Sequence, residues 1–288
     1  MKWLNEQLES IIKQINVDIT IFISDDNSND GTFDYLCEIA KKNNQIVVLP
    51  KTKPFGSSGK NFYRLICDVN FKDFDYIALA DQDDIWNIDK LFSHIELLEK
   101  SKAAAVSSNV IAFWPDGKEF LIDKSQPQKK YDFLFEGPGP GCSFLMTPEL
   151  VNKIKYQLKN NPSASRILLH DWLIYAICRA HKKKWIISSQ PSLRYRQHSS
   201  NVLGANIGLK ASLNRFSRIF NGWYRNQVYL VSEVVSKINL DKKFLNFKNT
   251  IYFNSILDRL KLIYFAIGGR RKLSERFYLI LSILFFIF

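Results

Sequence analysis

Asp75-Tyr76-Ile77-Ala78-Leu79-Ala80-Asp81-Gln82-Asp83-Asp84-Ile85-Trp86 is the stretch on which the fold turns. Its first half is a mostly apolar run with the length of a buried strand, and three carboxylates follow at once. Acids at i and i+2, just past the C-terminal end of a strand in an open α/β sheet, stand in the crevice where such sheets bind ligands. Three carboxylates so close repel one another, and a cation between them relieves the repulsion. Hard oxygen donors suit Mg2+ or Mn2+ bridged to the phosphates of a substrate. The plainer reading of the same residues is a solvated acidic turn capping a helix that begins near Ile88.

Upstream, the β-branched run Val17–Ser24 predicts a second buried strand, and it ends in a second acidic loop, Ser24-Asp25-Asp26-Asn27-Ser28-Asn29-Asp30-Gly31-Thr32. Started at Asp26, this loop puts Asp26, Ser28, Asp30 and Gly31 where a calcium loop would have them. Position 12 would then be Cys37 instead of Glu, and a strand precedes it where a helix is required, so that reading fails. One carboxylate accepting hydrogen bonds from a base or ribose fits better, with Asp30–Thr32 turning the chain into a helix over 32–42. A short strand over 46–49, a Gly/Ser loop over 56–59 and a helix over 61–69 fill the space between the two acidic loops. Leu4, Leu8, Ile11, Ile12 and Ile15 mark one face of an opening helix, and a helix over 88–101 follows the acids. Strands alternating with helices predict an α/β fold with a mainly parallel sheet flanked by helices. Beyond Ala103, short strands (105–114, 142–147, 185–189 and 193–197) are separated by longer loops and two helices.

Composition sets the frame for these motifs. The 288 residues are 46% apolar and 24% charged, which excludes a disordered or fibrous chain. Cys37, Cys67, Cys142 and Cys178 are scattered singly and make neither a disulfide framework nor a CxxC metal site, so they read as reduced cytoplasmic thiols. The net charge of +12 is uneven: Ser199–Phe288 holds 14 Lys and Arg against 4 Asp and Glu, a balance of +10. A basic tail on a near-neutral body suits an anionic partner such as membrane lipid, a phosphorylated substrate or nucleic acid. The opening residues carry no signal-peptide pattern. Phe277–Phe288 is apolar except for Ser282 and follows Arg270, Arg271, Lys272 and Arg276, a pattern suited to the membrane interface and too short to span it.

Taken together, ISDDNSNDGT, then ALADQDDIW about 50 residues later, then Asp89-Lys90-Leu91, resemble the glycosyltransferase family 2 domain. The nearest likeness is to bacterial rhamnosyltransferase-like enzymes of surface polysaccharide synthesis. The resemblance covers residues 1–206 and implies a GT-A fold, with 207–288 a helical, basic, membrane-associating extension. It also implies that Asp81 and Asp83 bind a divalent metal on the donor diphosphate, that Asp84 lies close to the donor sugar, and that Asp25 and Asp26 contact the nucleotide. Lys60 and Asn61 fall where the family approaches the donor. Gly137-Pro138-Gly139-Pro140-Gly141-Cys142 resembles the loop beside donor and acceptor sugars, and as chemistry it lets backbone approach a ligand closely; a plain turn before the strand at Cys142 is the alternative.

In His170-Asp171-Trp172, at the start of an apolar helix, the acid matching the family's catalytic base is Asp171, although acids at helix starts are often simple caps. In Tyr195-Arg196-Gln197-His198-Ser199-Ser200-Asn201-Val202, His198 matches a residue that completes the metal shell or meets the diphosphate. The implied function is inverting transfer from a nucleotide-diphosphate sugar to a saccharide, lipid-linked acceptor, by an enzyme peripheral to the inner face of the plasma membrane. Competing classes are a nucleotidyltransferase, a binding module and an inactive truncated paralogue. Neither GxxxxGK[ST] nor GxGxxG occurs, and no nucleic-acid motif is recognisable, so nucleic acid is not expected as a partner. Family members begin with a strand and loop before the helix that starts here at Trp3, so the expectation is a start lying upstream.

Overall fold

The computed structural model describes residues 2–198, 221–252, 255–285 and 288. Helix α1 (Leu4–Ile12) buries Leu4, Leu8 and Ile11 on the face that the heptad-like spacing predicts. It leads to β1 (Ile21–Ile23), α2 (Thr32–Lys42) and β2 (Ile46–Val48). The turn into α2 uses the expected local chemistry: Gly31 takes a left-handed φ of 80°, and Thr32 N–H donates to Asp30 Oδ1 at 3.2 Å. Helix α3 (Ser58–Asp68) starts three residues earlier than expected because Ser57 Oγ caps it, accepting from Lys60 N–H at 3.3 Å.

After α3 come β3 (Ile77–Ala78), β4 (Ile85–Trp86), α4 (Lys90–Ser101), β5 (Ala105–Ser108), β6 (Val110–Phe113) and β7 (Glu119–Ile122). Then follow β8 (Leu145–Met146), α5 (Pro148–Asn160), α6 (His170–Ala180), β9 (Trp185–Ser188) and β10 (Leu193–Arg196). The sheets are β1-β2, β4-β10-β6-β7 and β3-β8-β5-β9. They are mixed, and the parallel weighting needs correction: among the described residues three pairings are parallel and four antiparallel. Parallel neighbours need a long crossover. Strand β8 arrives instead from the Gly/Pro loop and runs antiparallel between β3 and β5.

The β6–β7 hairpin is a further addition to the sequence reading. Gly117 (φ 84°) closes its turn, and Trp114 N–H donates to Lys118 O at 3.0 Å. Buried Asn109 separates β5 from β6; its Oδ1 accepts from Lys124 N–H at 2.7 Å, and its Nδ2 donates to Ser189 O at 3.0 Å.

The composition changes near residue 206, which lies outside the described residues, but the core continues past it. Helices α7 (Trp223–Ile238), α8 (Lys242–Thr250), α9 (Ile256–Ile267) and α10 (Leu273–Leu284) contribute Val228, Val231, Phe247, Leu262 and Ile283 to one cluster. The same cluster holds Phe62, Leu134, Phe144, Trp172 and Trp185 of the α/β body. Burial on this scale stabilises by about 1.5–3 kcal/mol per large side chain. Among the described residues no helix is long and apolar enough to cross a membrane. All four cysteines are free, with Cys142 and Cys178 buried.

Candidate active site

The site is built where β3 and β10 end and β4 begins, and where the Gly/Pro loop meets the start of α6. The acids of Asp81–Asp84 are fastened from the β10 side. Arg196 N–H donates to Asp84 Oδ1 at 3.0 Å, Arg196 Nε donates to the Asp83 carbonyl at 2.8 Å, and the guanidinium also pairs with Glu6 of α1. Two residues further on, His198 Nε2 lies 2.5 Å from Asp83 Oδ2, and the Trp3 ring stacks on the imidazole at 4.4 Å between centroids. Asp83 and His198, 115 residues apart in sequence, are therefore brought together.

Asp81 faces a different neighbour. Its donor atom lies with those of Asp84 and Cys142 within 4.8 Å of one another. Burial and the nearby Asp83 push the Asp81 carboxyl up to about 7. Burial and Asp81 hold Asp84 well above the usual carboxylate range, and Asp84 Oδ2 is buried with no hydrogen-bond partner. A divalent cation fits this donor set, because hard carboxylate oxygens in a low-dielectric crevice are short of positive charge. Cys142 is the third member of this cluster, with burial raising its thiol above the ordinary value, and its soft sulfur suits Mg2+ or Mn2+ less well than the carboxylate oxygens do.

Lys90 is the residue that the sequence reading missed. It is fully buried beneath the acids, donates from Nζ to Cys142 O at 2.6 Å, and lies 3.1 Å from the centroid of the Trp86 ring. Burial pulls its ammonium down to about 7, against the opposing pull of Cys142, Asp84 and Asp81. The available signal was its place in Asp89-Lys90-Leu91, one of the quoted motifs.

Asp171 opens α6 with Oδ1 accepting from Trp172 N–H at 2.8 Å. Burial pushes its carboxyl up to about 6. The Gly/Pro loop wraps this end of the helix. A Cβ on Gly137 would stand 3.3 Å from Asp171 Oδ2, and one on Gly141 would fall under 3.0 Å from the His170 ring. His170 stacks on Phe62 of α3 at 4.3 Å, and burial keeps it neutral, with its pKa lowered to about 4. Gly59 of α3 is equally constrained, since a Cβ there would collide with the Leu168 carbonyl.

The first acidic loop has a clear division of labour. Asp26 holds the loop before α3, accepting from Phe55 N–H at 2.5 Å and Gly56 N–H at 2.9 Å. Asp25 is buried, with Oδ1 accepting from Ser28 N–H at 2.9 Å. Asn61 donates from Nδ2 to Ser24 O at 2.7 Å, so it positions the end of β1. Lys60 is exposed on the first turn of α3.

This fold and this acidic crevice define a glycosyltransferase of the GT-A kind, and the chain belongs to glycosyl transferase family 2, whose family model matches residues 2–154. It takes a nucleotide-sugar donor, as that family does, and the family expected from the motifs is borne out. Among curated relatives, dTDP-rhamnosyl transferase RfbG of Shigella flexneri is 40% identical over 291 residues, covering 99% of this chain and 97% of its own length. The UDP-Glc:alpha-D-GlcNAc-diphosphoundecaprenol beta-1,3-glucosyltransferase WfaP of Escherichia coli is 28% identical over 47% of this chain and 51% of its own. Among solved structures, S. aureus TarS in complex with UDP-GlcNAc shares the fold at a TM-score of 0.58 and 12% identity, over 93% of this chain and 78% of that one. The mannosyltransferase PcManGT of Pyrobaculum calidifontis, solved with GDP-Man and Mn2+, follows at 0.50 and 13%, over 99% and 82%.

Proposed function

We propose that this protein transfers rhamnose from a dTDP-linked donor to a lipid-linked saccharide, inverting the anomeric centre, in bacterial surface polysaccharide synthesis such as that of O-antigen. The donor follows from the 40% identity to RfbG over nearly the whole chain. The lipid-linked acceptor is suggested by WfaP, whose acceptor is a diphosphoundecaprenol-linked sugar. The enzyme works at the cytoplasmic face of the plasma membrane.

The observation that carries the mechanism is the Asp83–His198 pair beside the Asp81–Asp84 cluster, with Asp171 at the start of α6. Asp81, Asp83 and His198 would hold Mg2+ or Mn2+, which bound there supplies Lewis-acid stabilisation of the departing diphosphate. Asp84, held by Arg196 N–H, faces the donor sugar, and Lys90 beneath offsets the summed carboxylate charge. Asp25 accepts from the base or ribose, Asp26 fixes the loop before α3, and Lys60 reaches toward the donor. Gly137 and Gly141 let the loop backbone close against α6, which sets the acceptor pocket. Asp171 takes the acceptor hydroxyl's proton as that oxygen attacks, and a carboxylate raised to about 6 is matched to that work near neutral pH. The two sugars held in line give a single displacement with inversion.

Release of dTDP from a dTDP-rhamnose donor in the presence of acceptor, with the anomeric configuration of the product read by NMR, tests this reading. Retention of configuration would sink the single displacement. Transfer from UDP- or GDP-sugars alone would sink the donor assignment.

A further inference from the structure

The paired helices α9 and α10 turn a continuous apolar face outward. On α9, Ile256, Leu257, Leu260, Tyr264 and Ile267 are all exposed, from 54% to 74%. At 3.6 residues per turn they fall within an arc of about 100°. On α10, Leu273, Phe277, Tyr278, Leu284 and Phe285 are exposed in the same way, and only Ser274 interrupts their face with a polar side chain. The opposite sides of both helices, through Leu262, Phe265, Leu279 and Ile283, enter the common core. The outward faces are therefore surplus to folding, and leaving so much contiguous apolar surface in water is costly.

A cationic groove adjoins this face. It is lined by Lys130, Arg179, Lys182, Lys183 and Lys243, with Tyr131 and Phe244 among its apolar walls and no carboxylate in the lining. Arg179, Lys183 and Lys243 are ion-paired outside it with Asp132, Glu149 and Asp241, while Lys130 and Lys182 add charge to its rim. Tyr131 joins groove to helices: its N–H donates to Gly268 O at 3.0 Å, and its ring lies 6.0 Å from that of exposed Tyr264.

We infer that this face docks on an anionic phospholipid bilayer, with the apolar side chains of α9 and α10 entering the interface and the groove lying over the headgroup phosphates. Charge complementarity selects the occupant: aliphatic and aromatic side chains bordered by cations match an anionic lipid surface. Tyr264 and Tyr278 supply the amphipathic rings favoured at headgroup depth. Each helix has 12 residues, about 18 Å in length, so the pair lies in the interface and does not span it. The inference extends the proposed membrane location to named residues, and its test uses no nucleotide sugar, so it stands or falls apart from the reaction.

The full chain is sedimented with vesicles of phosphatidylcholine, with and without phosphatidylglycerol. Expected is pelleting with the phosphatidylglycerol vesicles that Leu257→Glu/Phe277→Glu abolishes. Lys130→Glu/Lys182→Glu should weaken it by about tenfold or more. Both double variants change exposed residues, and circular dichroism checks that each keeps the parental fold. Pelleting that both variants leave unchanged would overturn the inference, as would none with anionic vesicles. So would a stable dimer in sedimentation velocity that the apolar substitutions dissociate, because a second copy would then be the occupant.

Discussion

Asp171 is the residue on which structure and chemistry bear most sharply. Its carboxyl is raised from 3.8 to about 6 by burial. The folded state therefore keeps a proton that the unfolded state has lost, and stability falls as pH rises from about 4 to about 6. Above that window the cost is fully present, so Asp171→Asn should raise unfolding stability at pH 7 by about 1–3 kcal/mol while keeping an acceptor for Trp172 N–H. The same variant should lose transfer by about 100-fold or more. For the parent enzyme, kcat/KM should decline below about pH 6 as the base is protonated, measured across a pH series at saturating metal. A second residue-scale prediction concerns packing: Gly141→Ala should cost about 1–3 kcal/mol in urea unfolding, because the new Cβ meets the His170 ring.

Some of these residues were legible before any coordinates and others were not, for physical reasons. Asp81, Asp83 and Asp84 announce themselves by local spacing after a strand. His198 was singled out by its match within Tyr195–Val202, but its contact with Asp83 could not be read from spacing, because the two are 115 residues apart. Lys90 reads as an ordinary first-turn helix residue, and only tertiary packing turns it into a buried countercharge.

At the scale of elements, local chemistry decided what could be foreseen. Helix α2 was legible because Asp30-Gly31-Thr32 is a self-contained start. Hairpin β6–β7 was not read, although Asp116-Gly117 supplies a turn, because its outer strand is largely exposed and lacks alternation. The C-terminal helices look basic and aromatic in sequence, which suggested an appendage. Their inner faces carry the longer-range information. The turn between α9 and α10 reaches back to the loop behind Asp171: buried Arg271 donates from Nη2 to Gly137 O at 2.6 Å, and its N–H donates to Glu136 Oε1 at 2.6 Å. Its guanidinium also faces Asp132 at 3.3 Å. Arg271→Met should therefore destabilise by about 1.5–3 kcal/mol, measured by denaturant unfolding, because Asp132 and Glu136 lose one guanidinium while keeping Arg179 and Arg270.

At the scale of the whole molecule, the crevice, the base and the outward helix face give one orientation. Under the proposed reading, the α/β body would offer its acids to a nucleotide sugar while the outward face of α9 and α10 would meet lipid. The charge asymmetry of the sequence fits this division, with the balance of +10 concentrated in Ser199–Phe288. The central claim is metal-assisted sugar transfer in the crevice of Asp81, Asp83 and His198 with Asp171 as base. Its most direct measurement is cation-dependent release of dTDP from dTDP-rhamnose in the presence of a saccharide acceptor, compared for the parent, Asp83→Asn and Asp171→Asn. The account predicts release that EDTA abolishes, that Mn2+ or Mg2+ restores, and that both variants lose. Release that is indifferent to EDTA and intact in both variants would contradict it.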